Sequence, residues 1–445
     1  MNQIAIGDST AWLVLDGESR VAPYQKAALF LSFSAAEFVK EKIEIQLSGT
    51  ISEIQSALEE LGRLITRAQD YEQGTYSKPQ YLRVQREAAG EYFYSPISNL
   101  YLGSNKDGYI TRYRGSMIVE LFYTRPNYFD GNQVQLKLTG RYGTDQDTMQ
   151  IVNHTDDGTY DANTFYVDKK WTTDSDFPAP VRMKINFTNA TGNLKDLFVG
   201  NFYHLSSYTE DTFFHHAYGF STGSNTANAG AIGGYYKTVT WSGTTWATFG
   251  YKSLTASETK KLDGRFYRPI IHLYQSHAYT DLYFKIKIQR GSAVLYESEA
   301  VFSDPSYGYI VFPPVQIPPN KLLREVDPEP VDLYIYTQHD TSASYIIRWD
   351  QLLLLPLDYA LFLKGFFNIT QNDQIIYDQF RGLHNVIYNV TSGETIGHVA
   401  HGGPLLLHPN AYNRFIFLWA DSNNTVNIGH SAEITLYWRK RVRII

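Results

Sequence analysis

Hydrophobic and polar positions along this chain repeat at two periods, and the period of two dominates. Lys42–Leu47 reads KIEIQL, Tyr81–Arg86 reads YLRVQR and Asp281–Gln289 reads DLYFKIKIQ. Such alternation predicts strands with one buried and one wet face. Runs of the same kind recur from Ala11–Asp16 through Ser116–Thr124, Val181–Phe187, Leu197–Tyr203, Val331–Gln338 and Ser344–Leu355 to Ala432–Trp438. One long segment, Thr50–Asp70, has the other period. Ile54, Leu58, Leu61, Ile65 and Ala68 recur at three-four spacing, and Glu59, Glu60, Arg63 and Arg67 lie opposite. Thr50 and Glu53 stand in capping-box spacing. The spacing predicts an amphipathic helix that covers a sheet.

The expected fold is therefore mostly β and multidomain. Residues 1–140 read as a β unit with one covering helix at about 50–70, and 141–203 as loop-rich strands connecting to an accessory region. Frequent short strands over 204–356 suit a jelly-roll-like β-sandwich. Residues 357–445 read either as a C-terminal β domain or as strands that complete the first unit. Ser221–Gly234, rich in Gly, Ser and Asn, reads as a mobile loop or a linker.

Composition narrows the function classes. The chain has 445 residues, too many for one core. A formal net charge of −6 argues against nucleic acid as the main partner. With no Cys there is no disulfide, zinc-thiolate or thiol chemistry, and cytoplasmic synthesis is expected. No basic segment followed by an apolar one opens the chain, and no run reaches the roughly 20 apolar residues of a membrane helix, so neither a leader nor a membrane span is expected.

Few residues carry candidate chemistry. Tyr235, Tyr236, Trp241 and Trp246 are aromatics in a Gly/Ser/Thr setting. They suit stacking on a sugar or a partner, or else are half-buried strand residues. His398, His401 and His408, and His215–His216, could be metal ligands but lack an accompanying carboxylate motif. Asp156, Asp157 and Asp161 resemble an oxygen-rich calcium loop but lack its ligand spacing and closing Glu, and read otherwise as a polar turn. Arg439, Lys440, Arg441 and Arg443 make a basic terminus, suited to an acidic neighbour or phosphate or to a solvated strand end. No nucleophile elbow, phosphate loop or dinucleotide fingerprint is present, and no carboxylate pair stands out for glycoside hydrolysis. The expectation is no cofactor, no metal and no catalysis.

The order of segments carries a resemblance. KIEIQLSGTISEIQSALEELGRLITRAQDY is followed by PQYLRVQ, then by MIVELFYTRPNYFDG, then by VRMKINFTNATGNLKDLFVGN; LLLHPNAYNRFIFLW and AEITLYWRKRV close the chain. This resembles the minor and distal tail proteins of long-tailed bacteriophages over roughly residues 40–200 and 400–445. The resemblance implies a tail-tube-like β unit with one helix, a homo-oligomeric ring at the tail tip and contacts with other tail proteins. It also implies inserted sandwich domains that can contact host surface polysaccharide. A virion protein made in the host cytoplasm is the expected location. Two alternatives are a non-catalytic carbohydrate-binding protein outside any virion and a β-sandwich glycan-degrading enzyme.

Overall fold

The computed structural model describes residues 2–8, 10–32, 36–88, 90–103, 115–140, 143–152, 163–189, 194–204, 214–262, 264–305, 307–317, 329–341, 343–357, 360–364, 373–378, 386–389, 399–402, 404–421 and 431–443. The protein is mostly β, and its chain divides into two compact units. Unit 1 is Met1–Val134 with Asp174–Ala179 and Arg439–Ile445; unit 2 is Gln135–Thr173 with Pro180–Trp438.

Unit 1 is one antiparallel sheet with one helix. Its strands are β1 (Gln3–Gly7), β2 (Trp12–Asp16), β3 (Tyr24–Phe30), β4 (Phe38–Ser48), β5 (Gln80–Gln85), β6 (Tyr92–Leu102), β7 (Ser116–Pro126) and β8 (Phe129–Asp130). They run β2-β1-β5-β6-β7-β4-β3, and β8 pairs with β6. Helix α1 (Ile51–Glu72) starts at the expected capping box. The Glu53 amide donates to Thr50 Oγ1 at 3.2 Å, and the Thr50 amide donates to Glu53 Oε2 at 2.7 Å. Its most buried line is Ala57, Leu61, Leu64 and Ala68, packed into one cluster with Ile43, Ile45, Leu82, Val84 and Leu121. The expected stripe is thus rotated slightly: Ile54, Leu58 and Ile65 flank it. The two alanines let the helix backbone approach the sheet, and the longer side chains close the sides.

Burial alternates along β4, so Glu41 faces inward with Val39, Ile43 and Ile45. An alternation that begins at Lys42 does not include it. Its partner is Arg125, near the end of β7. Arg125 Nε and Nη2 donate to the two Glu41 oxygens at 2.7 and 2.8 Å, and Phe129 lies 4.3 Å from the guanidinium. The basic terminus is held the same way. The strand Arg441–Val442 pairs with β8. Lys440 Nζ reaches Glu91 at 2.8 Å, and Arg441 Nε donates to Asp130 at 2.9 Å with its guanidinium 4.1 Å from the Tyr128 ring.

Unit 2 is one sandwich inserted into another. In the outer frame, one sheet holds Thr164–Val167, Leu194–His204, Ala360–Lys364, Val399–Gly402 and Tyr412–Asp421; the second holds Met149–Val152, Ala179–Asn189, Gln374–Asp378, Val386–Asn389 and Ser431–Trp438. The described strands between 360 and 438 therefore share sheets with those between 149 and 204, most by direct pairing, and Val386–Asn389 and Val399–Gly402 through Gln374–Asp378 and Ala360–Lys364. They form neither a separate C-terminal domain nor part of unit 1, to which only 439–445 belong. The frame's closing turn depends on Asn413, which accepts from the His408 amide at 2.8 Å and donates to the His408 and Ala411 carbonyls at 3.0 Å.

The inserted sandwich spans 214–356. One sheet contains Phe214–His216, Ser224–Ala227, Tyr235–Ser242, Phe266–Gln275, Tyr309–Val311 and Ser344–Pro356; the other contains Ala247–Ser253, Leu282–Arg290, Ala293–Glu297, Val301–Phe302 and Val331–His339. Phe249, Phe284 and Trp349 fill the space between them. The first sheet is buried on its other face too, where Phe198, Phe202, Ile416 and Leu418 of the frame join the same cluster. Phe198 meets Tyr309 edge-on at 4.9 Å. A Cβ on Gly200 would lie 2.9 Å from Leu355 Cδ1, which accounts for the glycine of the FVGN segment. Burial on both sides explains the unbroken apolar run Leu352–Leu355.

Ser221–Gly234 is not a linker. It contains the strand Ser224–Ala227, and Ile232 sits fully buried with its amide donating to Asp350 Oδ2 at 2.9 Å. Helix α2 (Ala256–Leu262) is a second element the periodicity does not predict, although Thr255 and Glu258 form a capping box in front of it.

Candidate functional site

The four aromatics singled out in the sequence do not share a surface. Tyr236 and Trp241 lie on one strand at positions of opposite parity, so the pleat sends them to opposite faces. Tyr236 points away from the sandwich core and stacks on Tyr274, with ring centroids 4.2 Å apart and planes 7° from parallel. Tyr235, 42 % exposed, meets Tyr218 edge-on at 5.6 Å. Trp241 packs at the end of the core beside Tyr345 and Phe249, at 5.8 and 6.1 Å. Trp246 directly precedes the strand Ala247–Ser253 of the other sheet, and Lys285 Nζ lies 4.7 Å from its ring.

Trp246 opens onto a larger array. Three adjacent strands of the five-stranded sheet, Ala247–Ser253, Val331–His339 and Leu282–Arg290, turn aromatic and long polar side chains to the outside. Tyr251 and Tyr334 lie across from each other, 4.8 Å apart. Tyr334 and Tyr336 follow along one strand, 6.0 Å apart and within 5° of parallel. Tyr283 lies 5.7 Å from Phe302, which is 45 % exposed. Lys287 Nζ is 5.6 Å from the Tyr334 ring. The Tyr251 hydroxyl donates to Asp332 at 3.2 Å, and Lys285 approaches Glu297 at 4.0 Å. Burial, with Asp332 nearby, raises the Tyr334 hydroxyl above its ordinary range; burial and Glu297 do the same for Tyr336. Both hydroxyls are therefore neutral donors near neutral pH. In the sequence these residues are ordinary alternating strand positions. Only the lateral pairing of three strands far apart in the chain makes them an array.

The remaining candidates resolve differently. His215 is buried in the sandwich with Nδ1 3.1 Å from Lys252 Nζ; burial, and then the lysine charge, hold its imidazole well below the ordinary range. His272 and Asp350 form a buried pair at 2.5 Å. His408 stacks on Tyr203 at 3.5 Å. His398, Asp156, Asp157, Asp161 and the side chain of His401 lie outside the described residues. Among the described residues, no three His, Asp or Glu side chains come together as metal ligands, and no helix is long and apolar enough to cross a membrane.

No family model and no curated protein matches the chain. Solved structures similar to it include infectious bursal disease virus, Gx strain, at 8 % identity, covering 70 % of this chain and 78 % of that one with a TM-score of 0.17. The VP2 subviral particle of infectious bursal disease virus follows at 8 % identity, covering 70 % and 79 % with a TM-score of 0.16. At TM-scores this low the likeness decides neither fold nor function.

Proposed function

We propose that the chain is a structural, non-catalytic protein of a phage tail. It assembles with copies of itself and with other tail proteins through unit 1, and its inserted sandwich contacts surface carbohydrate. The observation that carries the assembly reading is the outward face of β3, β4, β7 and β6. There Phe30, Lys42, Phe122 and Tyr101 form one cross-strand row, with Tyr101 stacked on Phe122 at 5.2 Å and Lys42 Nζ 4.9 Å from Phe30. Phe30, Phe38, Tyr101 and Ile118 are 47, 57, 53 and 56 % exposed. Exposed large apolar side chains gathered on one face mark a surface that a neighbour covers. Lys42, bound to Glu44 and Glu120 at 2.8 and 2.7 Å, leaves the middle of that face charged but locally neutralised.

Electron microscopy of the purified chain, with light scattering for mass, tests the reading. Rings that are lost in Phe30→Lys and Ile118→Lys variants are expected. A monomer at every concentration, together with absence of the chain from tail tips of particles that encode it, refutes the assembly role. A free carbohydrate-binding protein would then be the reading left.

A further inference from the structure

The structure assigns the carbohydrate contact to the outward face of the five-stranded sheet, and its ligand is an extended neutral sugar chain. This rests on the carbohydrate clause of the function proposed above and specifies its site and ligand class. Three features of the face carry it.

The first is arrangement. Tyr251, Tyr334 and Tyr336 form a continuous series of rings at 4.8 and 6.0 Å, with Tyr283 on a neighbouring strand and Trp246 just before another. From Asp332 to Gln338 the strand runs about 20 Å. That is room for several sugar residues in a line, whereas a single terminal sugar would use one ring and a pocket.

The second is the alternation of apolar rings and hydrogen-bonding groups. Lys285, Lys287 and the tyrosine hydroxyls separate the rings. A protein partner favours a contiguous apolar centre with charge at its rim. A polyhydroxylated chain presents C–H faces and hydroxyls side by side, which matches rings and donors interleaved.

The third is charge. The ionised side chains that point outward from these strands and from the adjoining strand Ala293–Glu297 are Lys285, Lys287, Asp332 and Glu297, two positive and two negative, so their sum is zero. An acidic polymer would meet Asp332 and Glu297 as well as the lysines and gain nothing net. The opposite sheet is arranged differently: frame residues Phe198, Phe202, Ile416 and Leu418 join its core cluster, and among the described residues its rings fall into separate small groups, Tyr236 on Tyr274 and His216 with Tyr218 and Tyr235.

The test uses the full chain on an array of neutral hexose oligosaccharides from mono- to hexasaccharide, with neutral glucan, galactan and mannan and the acidic polymers alginate and pectate. Affinity should rise with chain length and change little with salt. Tyr334→Ala and Tyr336→Ala should each weaken binding about 10-fold or more, and Lys287→Ala, which removes no ring, should weaken it measurably. Tyr236→Ala, on the other sheet, should bind as the parent does. Glycan binding that survives Tyr334→Ala, Tyr336→Ala and Lys287→Ala overturns the assignment of the face and leaves the carbohydrate reading standing. Binding only to alginate or pectate, abolished by salt, overturns the neutral class. No binding to any glycan removes the carbohydrate reading itself and this inference with it.

Discussion

Arg125→Met separates the buried ion pair of unit 1 from a surface one. Both side chains are essentially inaccessible, at 1 % for Arg125 and 0 % for Glu41. The Glu41 carboxylate accepts from Arg125 twice, from the Tyr123 hydroxyl at 2.9 Å and from the Ser32 amide at 2.7 Å. Methionine fills much of the arginine volume, so the main change is an uncompensated carboxylate in the core. Two opposite charges about 4 Å apart attract by roughly 4 kcal/mol at the effective dielectric of protein interiors. Breaking one partner of a buried pair costs about 3–5 kcal/mol. The two bonds that remain to Glu41 keep the expected loss near the lower end, about 3 kcal/mol. At roughly 2–4 °C per kcal/mol for a unit of this size, the melting transition of unit 1 should fall by about 10 °C. Urea unfolding should show a lower midpoint with an unchanged slope. The double variant Glu41→Leu/Arg125→Met should recover most of the loss, because it removes the stranded charge. A single variant within about 1 kcal/mol of the parent, or a double variant no better than the single, would refute the reasoning.

Three further outcomes are expected. Burial first, and then the nearby Arg265, lower the His408 imidazole from 6.5 to about 4. The unfolded chain takes up that proton first, so the contribution is fully present above pH 6.5 and is lost as pH falls toward 4, by about 2–3 kcal/mol; His408→Phe should flatten that part of the stability-against-pH curve, and an unchanged slope would count against it. Thr50→Ala removes the α1 cap and should cost about 1 kcal/mol by chemical denaturation, with a null effect meaning that the helix is held by packing alone. Gly223 has φ +81°, and a Cβ there would come within 2.4 Å of the Thr238 carbonyl oxygen, so Gly223→Ala should destabilise unit 2 by about 1–3 kcal/mol; a neutral result would mean that the turn relaxes freely.

Residue order alone determined the fold class, the one long helix with its cap, and most long strands, because these depend on local spacing and on hydrogen bonds within a few residues. KIEIQL and DLYFKIKIQ alternate because one face is wet, and that face is wet whatever the partner strand is. Strands wholly inside the sheets carry no such mark. β1 (Gln3–Gly7) is buried at every position, and β6 (Tyr92–Leu102) holds Pro96, so neither alternates cleanly. The tertiary structure decided which strands pair. It placed Ser431–Trp438 beside Ala179–Asn189, and Tyr412–Asp421 beside Leu194–His204, across more than two hundred intervening residues. Pairing at that separation is set by complementary buried faces, and no short window contains both. The same reason hides the aromatic array. Tyr251, Tyr283, Tyr334 and Tyr336 lie on strands brought side by side only by the insert's own core, whereas Tyr235, Tyr236, Trp241 and Trp246, neighbours in sequence, are separated by the pleat and by the turn between two sheets.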